Sequence, residues 1–174
     1  NPDKFGICLN TIDNGDYSIG DSGERFSIQS ISKVFALAMA LSIKGEALWS
    51  RVGKEPSGTA FNSLAQLEVE HGSPRNAFIN AGAMAVADIL LTSFDNSAER
   101  YLEFVRALCG KDDICYNEQV ARSERETAYL NAAIANLLKY HKNIDCDVEE
   151  VLRLYFLTCS LEMNCHELAR AFLA

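Results

Sequence analysis

The chain has 174 residues, 48% of them hydrophobic and 23% charged, an ordinary globular composition that excludes a disordered, collagen-like or low-complexity protein. Sixteen Lys and Arg against 24 Asp and Glu give a formal charge of −8, and so acidic a surface argues against a nucleic-acid partner and against polybasic membrane attraction. No apolar run approaches the ~20 residues that span a bilayer, and no basic-then-apolar signal segment opens the chain, so a soluble, cytoplasmic protein is expected.

In chain order, Phe5-Gly-Ile-Cys-Leu-Asn10 and Tyr17-Ser-Ile-Gly20 are β-prone runs separated by Asp13-Asn-Gly-Asp16. Asn-Gly between two such runs is a strong hairpin signal. Two strands alone are marginal in water, so further strands should complete the sheet, although none is evident downstream. From Ser30 the texture turns helical: Ile31, Val34, Phe35, Ala38 and Leu41 recur at helical spacing and Gly45 is the expected stop. Gly53-Lys-Glu-Pro-Ser-Gly58 and Gly72-Ser-Pro74 punctuate.

Helices are then predicted over 81–92, 97–108 (Ser97 as N-cap, Gly110 beyond the end), 128–140 and 147–160. Asn164-Cys-His-Glu167 reads as a capping box opening a last helix. That helix reaches Ala174 in mid-pattern, and Asn1-Pro2 opens almost directly into a strand. Residues 1–174 therefore read as one domain, large enough for one core and expected to continue at both ends.

The six cysteines form no C-x-x-C, and the three histidines do not stand at zinc-ligand spacing from paired cysteines. A domain of this size needs no staples. Six buried or half-buried free thiols in a reducing compartment are expected, with no metal and no cofactor.

The most informative stretch is Arg25-Phe-Ser-Ile-Gln-Ser-Ile-Ser-Lys33. Ser30 and Lys33 form S-x-x-K where a strand-like segment meets an apolar helix, so both side chains can share one face. A serine hydroxyl needs activation to be a nucleophile. A helix N-terminus favours the charge that develops there, and a desolvated lysine is a usable base. Alone, the motif is weak, because a serine at a helix start is most often only a cap. Four other clusters accompany it. Asn80 precedes a small-residue helix, where an N-cap is the plain alternative. Glu124 and Asn131 lie seven residues apart, on one face if that segment is a single helix. A turn-rich loop runs from Lys54 to Asn62. Tyr155 is spaced with Val148, Val151, Leu152 and Cys159, as ordinary core would be.

Together these stretches resemble the serine-dependent glutaminase family, glutamine-to-glutamate amidohydrolases built on the serine β-lactamase fold. The resemblance rests on Gln29-Ser-Ile-Ser-Lys33, Gly53-Lys-Glu-Pro-Ser-Gly58 through Phe61-Asn62, Asn80-Ala-Gly-Ala83, Ser123-Glu124 with Asn131-Ala, and Tyr155-Phe with Cys159-Ser160, in family order. It implies an α+β, β-lactamase/DD-peptidase-like fold: a helical cluster packed on an antiparallel sheet of which this chain holds a part. It implies further that Ser30 is the nucleophile, Lys33 its activating partner and Tyr155 a proton relay. Gln29, Ser30, Asn80, Glu124, Asn131 and Tyr155 would contact L-glutamine, and the protein would be a homo-oligomer. An upstream substrate tyrosine, a second active-site tyrosine, a Gly-rich strand and an oxyanion donor of that family are not found in this chain. Two other readings compete. A β-lactamase or penicillin-binding relative would share S-x-x-K, but no S-D-N element is seen. A non-catalytic helical interaction domain would use every singled-out residue as cap or core.

Overall fold

A computed structural model describes residues 2–173; Asn1 and Ala174, where the sequence suggests continuation, lie outside the described residues. Strands β1 (Gly6–Asn10) and β2 (Asp16–Gly20) pair antiparallel, with Ile7 opposite Ile19, Leu9 opposite Tyr17 and Asn10 opposite Asp16. The turn differs from a two-residue Asn-Gly hairpin. Thr11 N–H donates to Gly15 O at 2.9 Å, Asn14 N–H donates to Thr11 O at 3.0 Å, and Asn14 alone takes a left-handed φ of 68°. The loop is thus a turn closed by one left-handed residue, and the asparagine does the work expected of the pair.

The described residues give this hairpin no third strand. Its cover is instead α8 (Cys165–Ala171), which begins with the predicted capping box. Asn164 accepts from Glu167 N–H, and the Glu167 carboxylate accepts from Asn164 N–H, both at 2.9 Å. The strand pattern is turned over relative to an ordinary half-buried sheet. Gly6, Cys8 and Asn10 are half-buried, whereas Ile7, Leu9, Tyr17 and Ile19 are 51–65% exposed.

The core is helical. α3 (Asn80–Ser93) is buried without interruption from Ala81 to Leu90. Its alanines and glycine let α1 (Ser32–Lys44), α6 (Tyr129–Tyr140) and α7 (Val148–Cys159) pack around it, and the short α2 (Leu64–Val69) lies against α6. The close approach is sharpest at Gly82, where a Cβ would stand 1.9 Å from Asn76 O.

α1 presents a different stripe from the one its sequence suggests. Ser32, Lys33, Phe35, Ala36, Met39 and Ala40 are buried, while Ile31, Ala38 and Leu41 are exposed. The helix is rotated so that Lys33 points inward, a polar position that hydrophobic periodicity cannot anticipate. α4 (Ser97–Cys109) ends at left-handed Gly110 as predicted, but its N-cap is Asn96. Ser97 is buried and donates back to Leu90 O and Phe94 O at 3.2 and 2.8 Å.

Three short strands escape the sequence pattern. β3 (Phe26–Ser27), β4 (Cys115–Tyr116) and β5 (Leu161–Met163) form an antiparallel sheet in the order β3-β5-β4. Two or three residues are too few to show a period. The sheet matters because β3 leads into the S-x-x-K segment and is fastened to the end of α7. Ser27 Oγ donates to Cys159 O at 2.8 Å, and Ile28 N–H donates to Leu161 O at 2.9 Å.

Candidate active site

Ser30 lies in a single 3₁₀ turn, Gln29–Ile31, immediately ahead of α1 rather than at the α-helix terminus itself. Neither start uses a side-chain cap. Among the described residues the exposed Ser30 hydroxyl has no hydrogen-bond partner, so the plain capping role is not the one it fills. Its neighbour Gln29 holds φ at +48°, a left-handed conformation that costs a non-glycine residue energy. Such strain concentrates at functional turns. The next hydroxyl, Ser32, is buried; its Oγ meets Cys159 Sγ at 4.0 Å, and its carbonyl accepts from the buried Tyr101 hydroxyl at 3.0 Å.

Lys33 is the centre of the arrangement. It is 4% exposed, and its ammonium donates to Asn80 Oδ1 at 2.7 Å and to Phe78 O at 3.1 Å. The rings of Phe61 and Tyr155 each lie 6.0 Å from Nζ. Burial lowers its pKa below the ordinary lysine value, opposed only by the neighbouring Cys159 thiol. The bond expected between Lys33 and Ser30 is not formed among the described residues; two of the ammonium's three donors are committed to the α3 entry.

Asn80 is the first residue of α3, whose cap is Ile79, so its amide is free for other work. It accepts from Lys33 and donates through Nδ2 to Asn131 Oδ1 at 3.0 Å. Asn80 N–H in turn donates to Phe61 O at 2.8 Å, tying the turn-rich loop to the site. A continuous polar chain therefore links α1, α3 and α6.

Glu124 and Asn131 do not share one helix. α5 (Glu118–Glu126) ends at Thr127, whose hydroxyl donates back to Ser123 O at 3.1 Å, and α6 starts at Tyr129. Asn131 meets Asn80 from α6, whereas Glu124 faces Tyr155 and Cys159 from α5. Glu124 is half-buried with no hydrogen bond or ion pair among the described residues, and its charge acts on Tyr155 and Cys159. Tyr155 is nearly buried on α7. Burial first, then Cys159 and Glu124, push its phenol well above the usual range, so it is a neutral O–H donor at physiological pH.

Sequence reasoning overlooked Cys159 as a wall of this site. It also overlooked the Phe78 carbonyl, which no side-chain motif could reveal. All six cysteines are free, but Cys115 is exposed rather than half-buried. No helix among the described residues is long and apolar enough to cross a membrane.

The glutaminase family model matches residues 1–174. A glutaminase of Christiangramia forsetii is 53% identical over 170 residues, which cover 98% of this chain and 56% of that protein. One from Shewanella oneidensis is 53% identical over 173 residues, covering 99% of this chain and 57% of its own length. Among solved structures, a probable glutaminase of Bacillus subtilis superposes with a TM-score of 0.88 at 38% identity, over 96% of this chain and 54% of that one. The glutamate form of Mglu gives a TM-score of 0.89 at 31% identity, over 98% and 40%. This chain thus spans a little over half the length of the curated relatives it matches. By sequence across its whole length, and by its β-lactamase-like fold, the chain belongs to the glutaminase family.

Proposed function

We propose that the protein hydrolyses L-glutamine to L-glutamate and ammonia through an acyl-enzyme on Ser30. The observation that carries this reading is the chain from buried Lys33 to half-buried Asn80 and Asn131, next to a serine hydroxyl that nothing engages among the described residues. In its neutral form Lys33 takes the Ser30 proton as Oγ attacks the γ-carboxamide carbon. Tyr155, held as a phenol, passes its proton to the departing nitrogen and is reprotonated by Lys33 with the proton taken from Ser30, so ammonia leaves, an ester to Ser30 Oγ remains and both groups regain their starting forms. Water then adds to that ester, its proton returns through the same groups, and glutamate is released with Ser30 restored. The Ser30 N–H serves as one oxyanion donor.

The unpaired Glu124 carboxylate suits the α-ammonium of glutamine, and the spare N–H groups of Asn80 and Asn131 suit its α-carboxylate. Gln29, held in its strained turn, completes the contacts. Residues 1–174 would act within one glutaminase domain, in the cytoplasm and as a homo-oligomer; six free cysteines accord with a reducing compartment.

Ammonia release from glutamine tests the reading. Ser30→Ala should bring it to background, and Glu124→Gln should raise KM at least about tenfold, the loss of one charge-assisted bond of ~1.5–3 kcal/mol. Undiminished turnover by folded Ser30→Ala would overturn it.

A further inference from the structure

Away from the site just described, β1, β2 and α8 bring Cys8, Asp16 and His166 together. Cys8 Sγ lies 3.3 Å from His166 Nδ1 and 3.5 Å from Asp16 Oδ1, and His166 Nδ1 lies 3.1 Å from Asp16 Oδ1. We infer that these three residues form a site for a thiophilic divalent cation of the zinc class, which clamps the N-terminal hairpin to α8.

The shape of the cluster is the first argument. Zinc bonds of ~2.3 Å to sulfur, ~2.05 Å to nitrogen and ~2.1 Å to oxygen at tetrahedral angles place the donors about 3.4–3.6 Å apart. The three observed edges fall within about 0.3 Å of that triangular face. Thiolate, imidazole and carboxylate are the three donor types this metal takes, and together they disfavour magnesium or calcium.

Support behind the ligands is the second. The other ring nitrogen, His166 Nε2, lies 3.2 Å from the hydroxyl of buried Ser22. That contact orients the ring with Nδ1 facing the cluster, and the hydroxyl can accept from Nε2–H when Nδ1 holds a metal, as the partners behind metal-bound histidines commonly do. Asn10 Oδ1, 3.5 Å from Cys8 Sγ, borders the same point. A cleft of about 350 Å³ lined by Asp16, His166, Asn164 and Arg170 gives a solvated ion a way in.

The third argument is what the hairpin lacks. Its covered face carries Gly6, Cys8 and Asn10, while its apolar side chains point outward. Contact with α8 is therefore polar, and a cation joining one residue from each element would supply the cohesion that hydrophobic burial does not. On binding, the Cys8 thiol proton leaves to solvent, Sγ, Nδ1 and Oδ1 donate to the metal, and a water takes the fourth position.

Cobalt(II) added to the purified, chelator-treated and reduced protein is the test, because tetrahedral thiolate cobalt absorbs characteristically. We expect one equivalent per chain, a sulfur-to-cobalt charge-transfer band, displacement by zinc, and a zinc-dependent rise in Tm. Cys8→Ser should abolish the band. Asp16→Asn, at an exposed position that leaves folding intact, should weaken binding at least tenfold and remove the Tm rise. Ser22→Ala should weaken binding about 10–100-fold, and Cys115→Ser, an exposed thiol on β4 outside the cluster, should change nothing. A folded protein that takes up no cobalt, or a band that survives Cys8→Ser, would overturn the assignment and leave a hydrogen-bonded cluster.

Discussion

The helical core and the N-terminal hairpin solve opposite problems. Around α3 the neighbouring helices turn aliphatic and aromatic side chains inward, and the charged groups that enter meet partners, as Lys33 does at Asn80 and Asp88 does at Arg51. In the hairpin the apolar pairs Ile7–Ile19 and Leu9–Tyr17 stand in solvent, and the polar face is the covered one. The lesson is that Lys33, Asn80 and Tyr155 are held by the densely packed part of the molecule, whereas Ser30 and Glu124 stand at its edge with their polar groups unengaged among the described residues. The hairpin holds its place through a few polar groups and is the part that conditions should affect most.

Asp88 should give the largest effect. It is fully buried on α3, accepts from the N–H groups of Asp145 and Cys146 at 2.8–3.1 Å, and pairs with Arg51 at 2.7 Å. Burial alone would raise its pKa, but the Cys146 N–H, Arg51 and the Asp145 N–H outweigh it and hold the carboxyl below its usual value. Its contribution is therefore complete above the unfolded-state pKa of ~3.9 and is lost as pH falls through the lower folded value. Asp88→Ala should cost about 3–5 kcal/mol in urea unfolding near neutral pH and flatten the acid limb of stability below about pH 4.

Next in size, Leu138→Ala in α6 removes a fully buried side chain and should cost about 2–5 kcal/mol. Gly82→Ala should cost about 1–3 kcal/mol by overpacking. It should also impair activity, because its Cβ would push the first turn of α3, and with it Asn80, away from Asn76. Smallest of all, Ile7→Thr or Leu9→Thr on the outer hairpin face should stay within about 0.5 kcal/mol. A loss there as large as that of Leu138→Ala would mean that the outer face is packed in solution, and the contrast between the two regions would fall.

Much of this was legible in the chain, and the failures have physical causes. Helix bounds followed from caps and glycines: Gly45 and Gly110 stop α1 and α4, and Asn164 closes a capping box. Local signals failed where tertiary contacts decide. β3, β4 and β5 are too short to carry a period, α1 is rotated to bury a lysine, and Glu124 reaches the site from a separate helix. The candidate site was legible as a set of residue types through the family resemblance. Its wiring was not, because Lys33 to Asn80 to Asn131 spans three helices. Cys8, Asp16 and His166 were invisible for the same reason, since spacing rules find only ligands that are near in sequence.

The central claim, that Ser30 is a nucleophile in a glutamine-shaped site, is tested most directly by incubating the purified protein with 6-diazo-5-oxo-L-norleucine, followed by intact mass and peptide mapping. The account predicts a single adduct on Ser30, prevented by excess glutamine and absent from Lys33→Met. An adduct on another residue, or none on a demonstrably folded protein, would contradict it.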